Sequence, residues 1–203
     1  DLIQYEPAVG DPASQKTEIR VLYDDNKLYF GFMCYDTEPE KIIARELKRD
    51  GNLWRTNDLV SVAIATFGDM RDAYYFQTNP HGARRDMLIG QEGANFNGDW
   101  NAIWEAKGQI HDEGWSVEMA IPFKSFRFPD VEEQVWGINF SRGIQRKKED
   151  SYWVPVSRRD GFQGMFKFGK GGRLRGLRNI KPGRSVELLP YTVMGSLGER
   201  QTI

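Results

Sequence analysis

Gly114-Trp115-Ser116-Val117-Glu118-Met119-Ala120-Ile121-Pro122-Phe123 alternates with a period of two. Trp115, Val117, Met119 and Ile121 fall on one side and Ser116, Glu118 and Ala120 on the other, the pattern of a strand with one face in a core. Pro122 lacks the N–H that would continue a ladder, so it ends the strand, and the apolar Phe123, Phe126 and Phe128 are expected to cover the end of the sheet. This stretch reads as a central strand of an all-β domain. On its polar side, Glu118 is expected to pair with an arginine such as Arg142 on a neighbouring strand rather than to act as a shifted general acid.

Working outward, Ile103 to Ile110 is placed to pair with Trp115 to Ile121 across His111-Asp112-Glu113-Gly114. Thr17 to Tyr23 and Leu28 to Tyr35 form a hairpin around Asp24-Asp25-Asn26-Lys27. Ile42 to Leu47 reads as a short edge strand, and Asp50 to Asn57 as a polar loop with Trp54 exposed. Leu59 to Phe67, Ala73 to Thr78, Ala83 to Ile89, Val135 to Phe140 and Tyr152 to Val154 continue the series. Short strands punctuated by Gly, Asp, Asn and Pro, without a long amphipathic helix, predict an antiparallel β-sandwich.

The 203 residues, 39% hydrophobic and 13% aromatic, suffice for one sizeable core. No apolar run is long enough for a membrane-spanning helix. The N-terminus has no signal-peptide pattern and the first residue is not methionine, so the chain reads as a piece of a longer protein. Cys34, the single cysteine, excludes an internal disulfide and reads as a small buried hydrophobe. The net charge of −1 hides an asymmetry: residues 142–184 hold thirteen Lys and Arg against three acids, whereas residues 1–141 hold 14 against 24. No recognition helix or zinc-finger spacing accompanies the basic segment, so nucleic acid is not expected, and the segment is expected to face an acidic surface.

Catalysis finds little support. His81 and His111 sit in turn-like segments with no nucleophile elbow or triad. A two-carboxylate hydrolase has no fixed spacing and no candidate pair stands out. Gly169-Lys170-Gly171-Gly172 lacks the ending of a phosphate loop. The loop aromatics Trp54 and Phe162 are more informative, because each is flanked by hydrogen-bonding residues. An apolar ring in that setting suits the C–H face of a sugar, and equally the capping of a sandwich end. Both readings stay open.

At this point the chain resembles family 9 carbohydrate-binding modules, and more closely the module-like N-terminal domain of bacterial proteins that continue into an outer-membrane β-barrel. The resemblance rests on Lys16 to Asp25 with Leu28-Tyr29, on Trp54 with Asp58 to Val62, on Phe76-Gln77-Thr78-Asn79, on Gly114 to Pro122, on Trp136-Gly137-Ile138-Asn139 and on Phe168-Gly169. It spans about residues 15–178 as a spaced pattern. Trp100 to Ala106 and Leu188-Leu189-Pro190-Tyr191 look like the barrel-bearing family. The resemblance implies a carbohydrate-binding-module-like β-sandwich over residues 1–184, and a linker or barrel start over 185–203.

For a ligand, the resemblance implies a sugar ring held between Trp54 and Phe162, with Gln77, Ser61 and Arg159 supplying polar contacts. At those three positions the sugar-binding members carry arginine, glutamate and asparagine. It allows a structural calcium without naming ligands. It further implies a non-catalytic, exported module, periplasmic or associated with the outer membrane, with its own β-barrel as a partner. The alternative within the same resemblance is a structural domain docked on that barrel with no sugar ligand. Weaker readings are haem binding through a methionine among Met33, Met70, Met87 and Met119, and an accessory role to a glycoside hydrolase.

Overall fold

The structure, a computed structural model, describes residues 1–182. The expected linker or barrel start at 185–203 lies outside the described residues. Twelve strands are described: β1 (Ile3–Glu6), β2 (Thr17–Tyr23), β3 (Lys27–Tyr35), β4 (Leu59–Ala65), β5 (Ala73–Thr78), β6 (Arg84–Gly90), β7 (Asn95–Asn97), β8 (Glu105–His111), β9 (Gly114–Pro122), β10 (Glu133–Ile144), β11 (Glu149–Tyr152) and β12 (Gly172–Arg178). They form two antiparallel sheets, one in the order β2-β3-β9-β8 and one in the order β1-β11-β10-β4-β5-β6-β7, with β12 also pairing β10. This is the predicted antiparallel β-sandwich.

The stretch that opened the sequence is β9, an inner strand of the smaller sheet. Trp115, Val117, Met119 and Ile121 are buried in the main core, facing Val60, Val62 and Ile64 from β4 and Ile138 and Phe140 from β10. Each fully buried side chain of this size contributes about 1.5–3 kcal/mol relative to exposure. Phe123, Phe126 and Phe128 cover the sheet end as expected, packing on Trp136 with ring centroids 6.2, 5.4 and 5.2 Å away. The β8–β9 turn needs Gly114, whose φ of +135° disfavours other residues, and a Cβ there would run into the Cys34 carbonyl oxygen.

The centre of the larger sheet is buried on both faces. Every residue of β4 and β5 is buried, because Ser61, Ala63 and Ala65 are small enough for the segment around Gly161–Phe166 to lie across the outer face. A second cluster results, containing Tyr75, Met87, Tyr152, Met165, Phe166 and Phe168. Met119 fills the main core, Met87 belongs to this outer cluster with Met70 packed against it, and Met33 lies on the outer face of the smaller sheet.

Three expectations change. Glu118 is exposed on the outer face of the smaller sheet and does not meet Arg142. Arg142 shares the inner face of the other sheet with Val60 and donates to the carbonyls of Lys16 (2.9 Å) and Tyr35 (2.8 Å) and to Thr17 Oγ1 (3.0 Å). Ile42 to Leu47 forms no strand. The Arg45 and Glu46 N–H groups donate instead to Asn57 Oδ1, which replaces a ladder. Trp54 is half-buried, not exposed.

Part of the basic segment is consumed inside the domain. Arg146 forms a bidentate pair with buried Asp36, at 2.7 and 2.6 Å. Burial pushes the Asp36 carboxyl up, but the Arg146 hydrogen bonds and the Glu38 N–H outweigh it and hold the group below its ordinary value. Cys34 is buried and its thiol is pushed up to about 11 by desolvation, so it packs as a hydrophobe. No helix among the described residues is long and apolar enough to cross a membrane.

Candidate functional site

Trp54 is presented by a loop fixed on both sides. Leu53 is fully buried against Leu59 and Ala83, and Asn57 is buried with its Oδ1 accepting from Arg45 N (2.6 Å), Glu46 N (3.0 Å) and Asn79 Nδ2 (3.1 Å). Between these anchors Arg55 takes a left-handed conformation, φ 56°, and its guanidinium reaches to 3.6 Å from Glu6. Phe162 stands on the 3₁₀ turn Gly161–Phe166, whose Met165 and Phe166 are buried anchors. The chain therefore brings together the two aromatics that the resemblance pairs.

Their geometry is a closed contact. The Trp54 and Phe162 centroids are 4.7 Å apart at 85°, edge to face, and no pyranose fits between them. Phe162 also packs on Tyr75 (5.9 Å), Phe166 (5.3 Å) and Phe96 (6.0 Å).

The polar positions separate. Ser61 and Gln77 lie beneath the aromatics on adjacent strands, both buried. Gln77 Nε2 donates to the Tyr75 hydroxyl (3.1 Å), the Tyr75 hydroxyl donates to Ser61 Oγ (3.0 Å), and Ser61 Oγ bonds Ser141 Oγ. Desolvation raises the Tyr75 hydroxyl well above its ordinary range, so it stays neutral. Arg159 is exposed, and among the described residues its side chain makes no hydrogen bond to these groups. Tyr75 was missed in the sequence, although its place on the same face as Gln77, two residues before it, follows from the alternation.

A cavity of about 210 Å³ opens on another side of Trp54, walled by Leu59 and Gly143 and by the acids Glu6, Glu149 and Asp150. In the ladder Asp150 lies between Gly143 of β10 and Glu6 of β1. The glycine makes room for its carboxylate: a Cβ on Gly143 would stand 3.2 Å from Asp150 Oδ1. Burial, with Glu6 and Glu149 adding to it, pushes the Asp150 carboxyl up to about 6. Glu149 is committed to the fold, accepting from Ser14 N and Ser151 Oγ. Nothing among the described residues hydrogen-bonds the Asp150 side chain. The sequence offered one signal for it, the Asp-Ser-Tyr alternation after Gly143, which lay beyond the strand expected at Tyr152 to Val154.

Solved structures share this architecture. The sandwich is similar in fold to that of family 9 carbohydrate-binding modules. A protein from Bacteroides uniformis whose proposed role is carbohydrate binding aligns with a TM-score of 0.66 at 13% identity, covering 84% of this chain and 80% of its own. A family 9 carbohydrate-binding module from Caldicellulosiruptor kristjanssonii, in complex with glucose, aligns at 0.55 and 14% identity over 88% of this chain and 83% of that one. The same organism's module with cellotriose gives 0.54 and 14% over 94% and 88%. No family model matches the sequence, and no curated protein is similar to it. These likenesses establish the fold.

Among the described residues no three His, Cys, Asp or Glu side chains are grouped to hold a metal ion.

Proposed function

We propose that the chain is a non-catalytic carbohydrate-binding-like module of a larger exported protein, periplasmic or associated with the outer membrane, and that it takes a sugar ring in the cavity beside Trp54. The observation that carries this reading is Asp150. Its carboxylate, withdrawn from water and free of protein hydrogen bonds, faces the same 210 Å³ space as a half-buried tryptophan. An aromatic wall and an acceptor with open lone pairs match the apolar face and the hydroxyls of a sugar. The sugar sits beside Trp54 rather than between it and Phe162, since the contact of the two rings leaves no gap.

A second reading, a structural domain docked on its own β-barrel without a sugar ligand, is favoured by the polar positions. Ser61 and Gln77 serve an internal relay, and Phe162 serves the outer cluster. Titration calorimetry against mono- and oligosaccharides, repeated with Trp54→Ala, separates the two. Saturable heat that vanishes in the variant supports the glycan module. A folded protein that gives no heat with any sugar refutes it and leaves the docking role.

A further inference from the structure

A larger groove, about 880 Å³, lies at the opposite end of the eight-stranded sheet, where β7 is the outermost strand. β7 has three residues, all exposed. So short an edge offers too few backbone groups to hold an added peptide strand, and the side chains therefore decide what this groove accepts.

One ring is fixed there with surface to spare. Trp100, half-buried, is held against Tyr74 at 5.3 Å and Phe76 at 6.0 Å. A ring held in place by the core loses little freedom when a ligand stacks on it. Phe96, which pairs with Ile89 and packs on Phe162 (6.0 Å) and Phe166 (5.8 Å), turns its ring to the outer face of the sheet and does not face the ring of Trp100.

The rim carries unused polar groups. Lys124 and Arg127 are exposed and line the groove, and among the described residues neither side chain has a hydrogen bond or an ion pair. The Asn95 amide is equally free, and Asn97 Nδ2 has no acceptor. The carboxylate of the lining is Asp72, whose Oδ1 accepts from Gln91 N (3.1 Å). Two cations against one acid leave a positive rim on the otherwise acidic part of the chain.

We propose that this groove is a second binding site, distinct from the Trp54 cavity, for a glycan chain bearing carboxylates, with a sugar face on Trp100 and carboxylates at Lys124 and Arg127. The asparagine amides offer both donors and acceptors, which vicinal hydroxyls use and a phosphate backbone, acceptor only, does not. Two cations give charge complementarity that salt screens.

The test is calorimetry of the intact chain with oligogalacturonates of increasing length, with the same oligomers methyl-esterified, and with an oligothymidylate. Affinity is expected to rise with length and to fall at least about tenfold, or about 1.4 kcal/mol, on esterification or in Trp100→Ala. It is also expected to weaken in the exposed double variant Lys124→Gln/Arg127→Gln and to persist in Trp54→Ala. Thermal melts of each variant verify folding. Equal binding of the esterified oligomer, loss of binding in Trp54→Ala alone, preference for the oligothymidylate, or no binding overturns the proposal. Neutral sugars lost only in Trp54→Ala would leave the Trp54 reading standing on its own.

Discussion

The Trp54 indole meets the Phe162 ring edge to face, with centroids 4.7 Å apart and planes at 85°. A pair placed to clamp a ligand thus satisfies itself, and Phe162 becomes the hub joining Trp54 to Tyr75, Phe96 and Phe166. An aromatic pair of this kind is worth about 0.5–1.5 kcal/mol beyond its area.

Phe162→Ala removes four such contacts from a half-buried position. It is expected to lower unfolding stability by about 2–3 kcal/mol, below the range for a fully buried phenylalanine. Urea denaturation followed by tryptophan fluorescence measures this, and the native emission should shift to the red as Trp54 loses its cover. A loss under about 0.5 kcal/mol, the size of an ordinary surface substitution, would contradict the hub role.

Asp150 sets a pH dependence whose sign follows from its raised value. With an ordinary pKa of 3.8 and a folded one of about 6, the folded chain binds more protons than the unfolded chain between those values. Stability is therefore greatest below about pH 4 for this group and declines as pH rises through about 6. Asp150→Asn is expected to stabilise the protein by about 1–3 kcal/mol at neutral pH and by little near pH 4. Urea titrations across that range check it, and subtracting the variant from the parent cancels the contribution of Asp36. The same variant should weaken sugar binding at the Trp54 cavity, which is the expected trade of stability for function.

The fold was legible where alternation was strict. β9 and the β2–β3 hairpin present one face to the core, and a period of two specifies that face without tertiary knowledge. Alternation does not say which sheet a face looks toward, and so Glu118 and Arg142 could not be separated: one stands outside the smaller sheet, the other inside the larger. Nor does it reveal a strand buried on both faces. The small residues Ser61, Ala63 and Ala65 are visible in the sequence, but the segment that covers them lies about a hundred positions away. The aromatic pair was implied by the family resemblance. Its closure was not, because it depends on Leu53, Asn57, Met165 and Phe166 as anchors of two loops.

Arg142 ties the two sheets together by donating to Lys16 and Tyr35 carbonyls and to Thr17. Arg142→Ala would remove all three bonds between the sheets, leaving the Lys16 carbonyl with the Tyr35 N–H alone, and a loss of about 1.5–3 kcal/mol is expected. Arg142→Lys keeps the charge but cannot fork to both carbonyls, so it should recover part of the loss and not all of it. Full recovery by lysine, measured as the urea midpoint, would mean that charge and not the fork holds the sheets.

Asp86 makes the last prediction, because it holds the Trp100 to Trp104 segment that lines the Trp100 groove. It is fully buried and accepts from Ala102 N (2.6 Å), Trp104 Nε1 (3.0 Å) and Arg49 Nη2 (2.7 Å). Burial raises its carboxyl above the ordinary value, and these three donors work against that rise. Asp86→Ala removes all three acceptor interactions at once and leaves the Ala102 N–H and the indole N–H buried without partners, a cost of about 3–5 kcal/mol. The segment from Trp100 to Trp104 should then loosen before the sandwich does, since the strands keep their own ladders. Hydrogen exchange reads this directly: the Ala102 amide is expected to lose protection while Val62 and Val117 retain theirs. Uniform loss of protection would instead make Asp86 part of the global core. Intact protection at Ala102 would mean that the loop is held by packing of Trp104 alone.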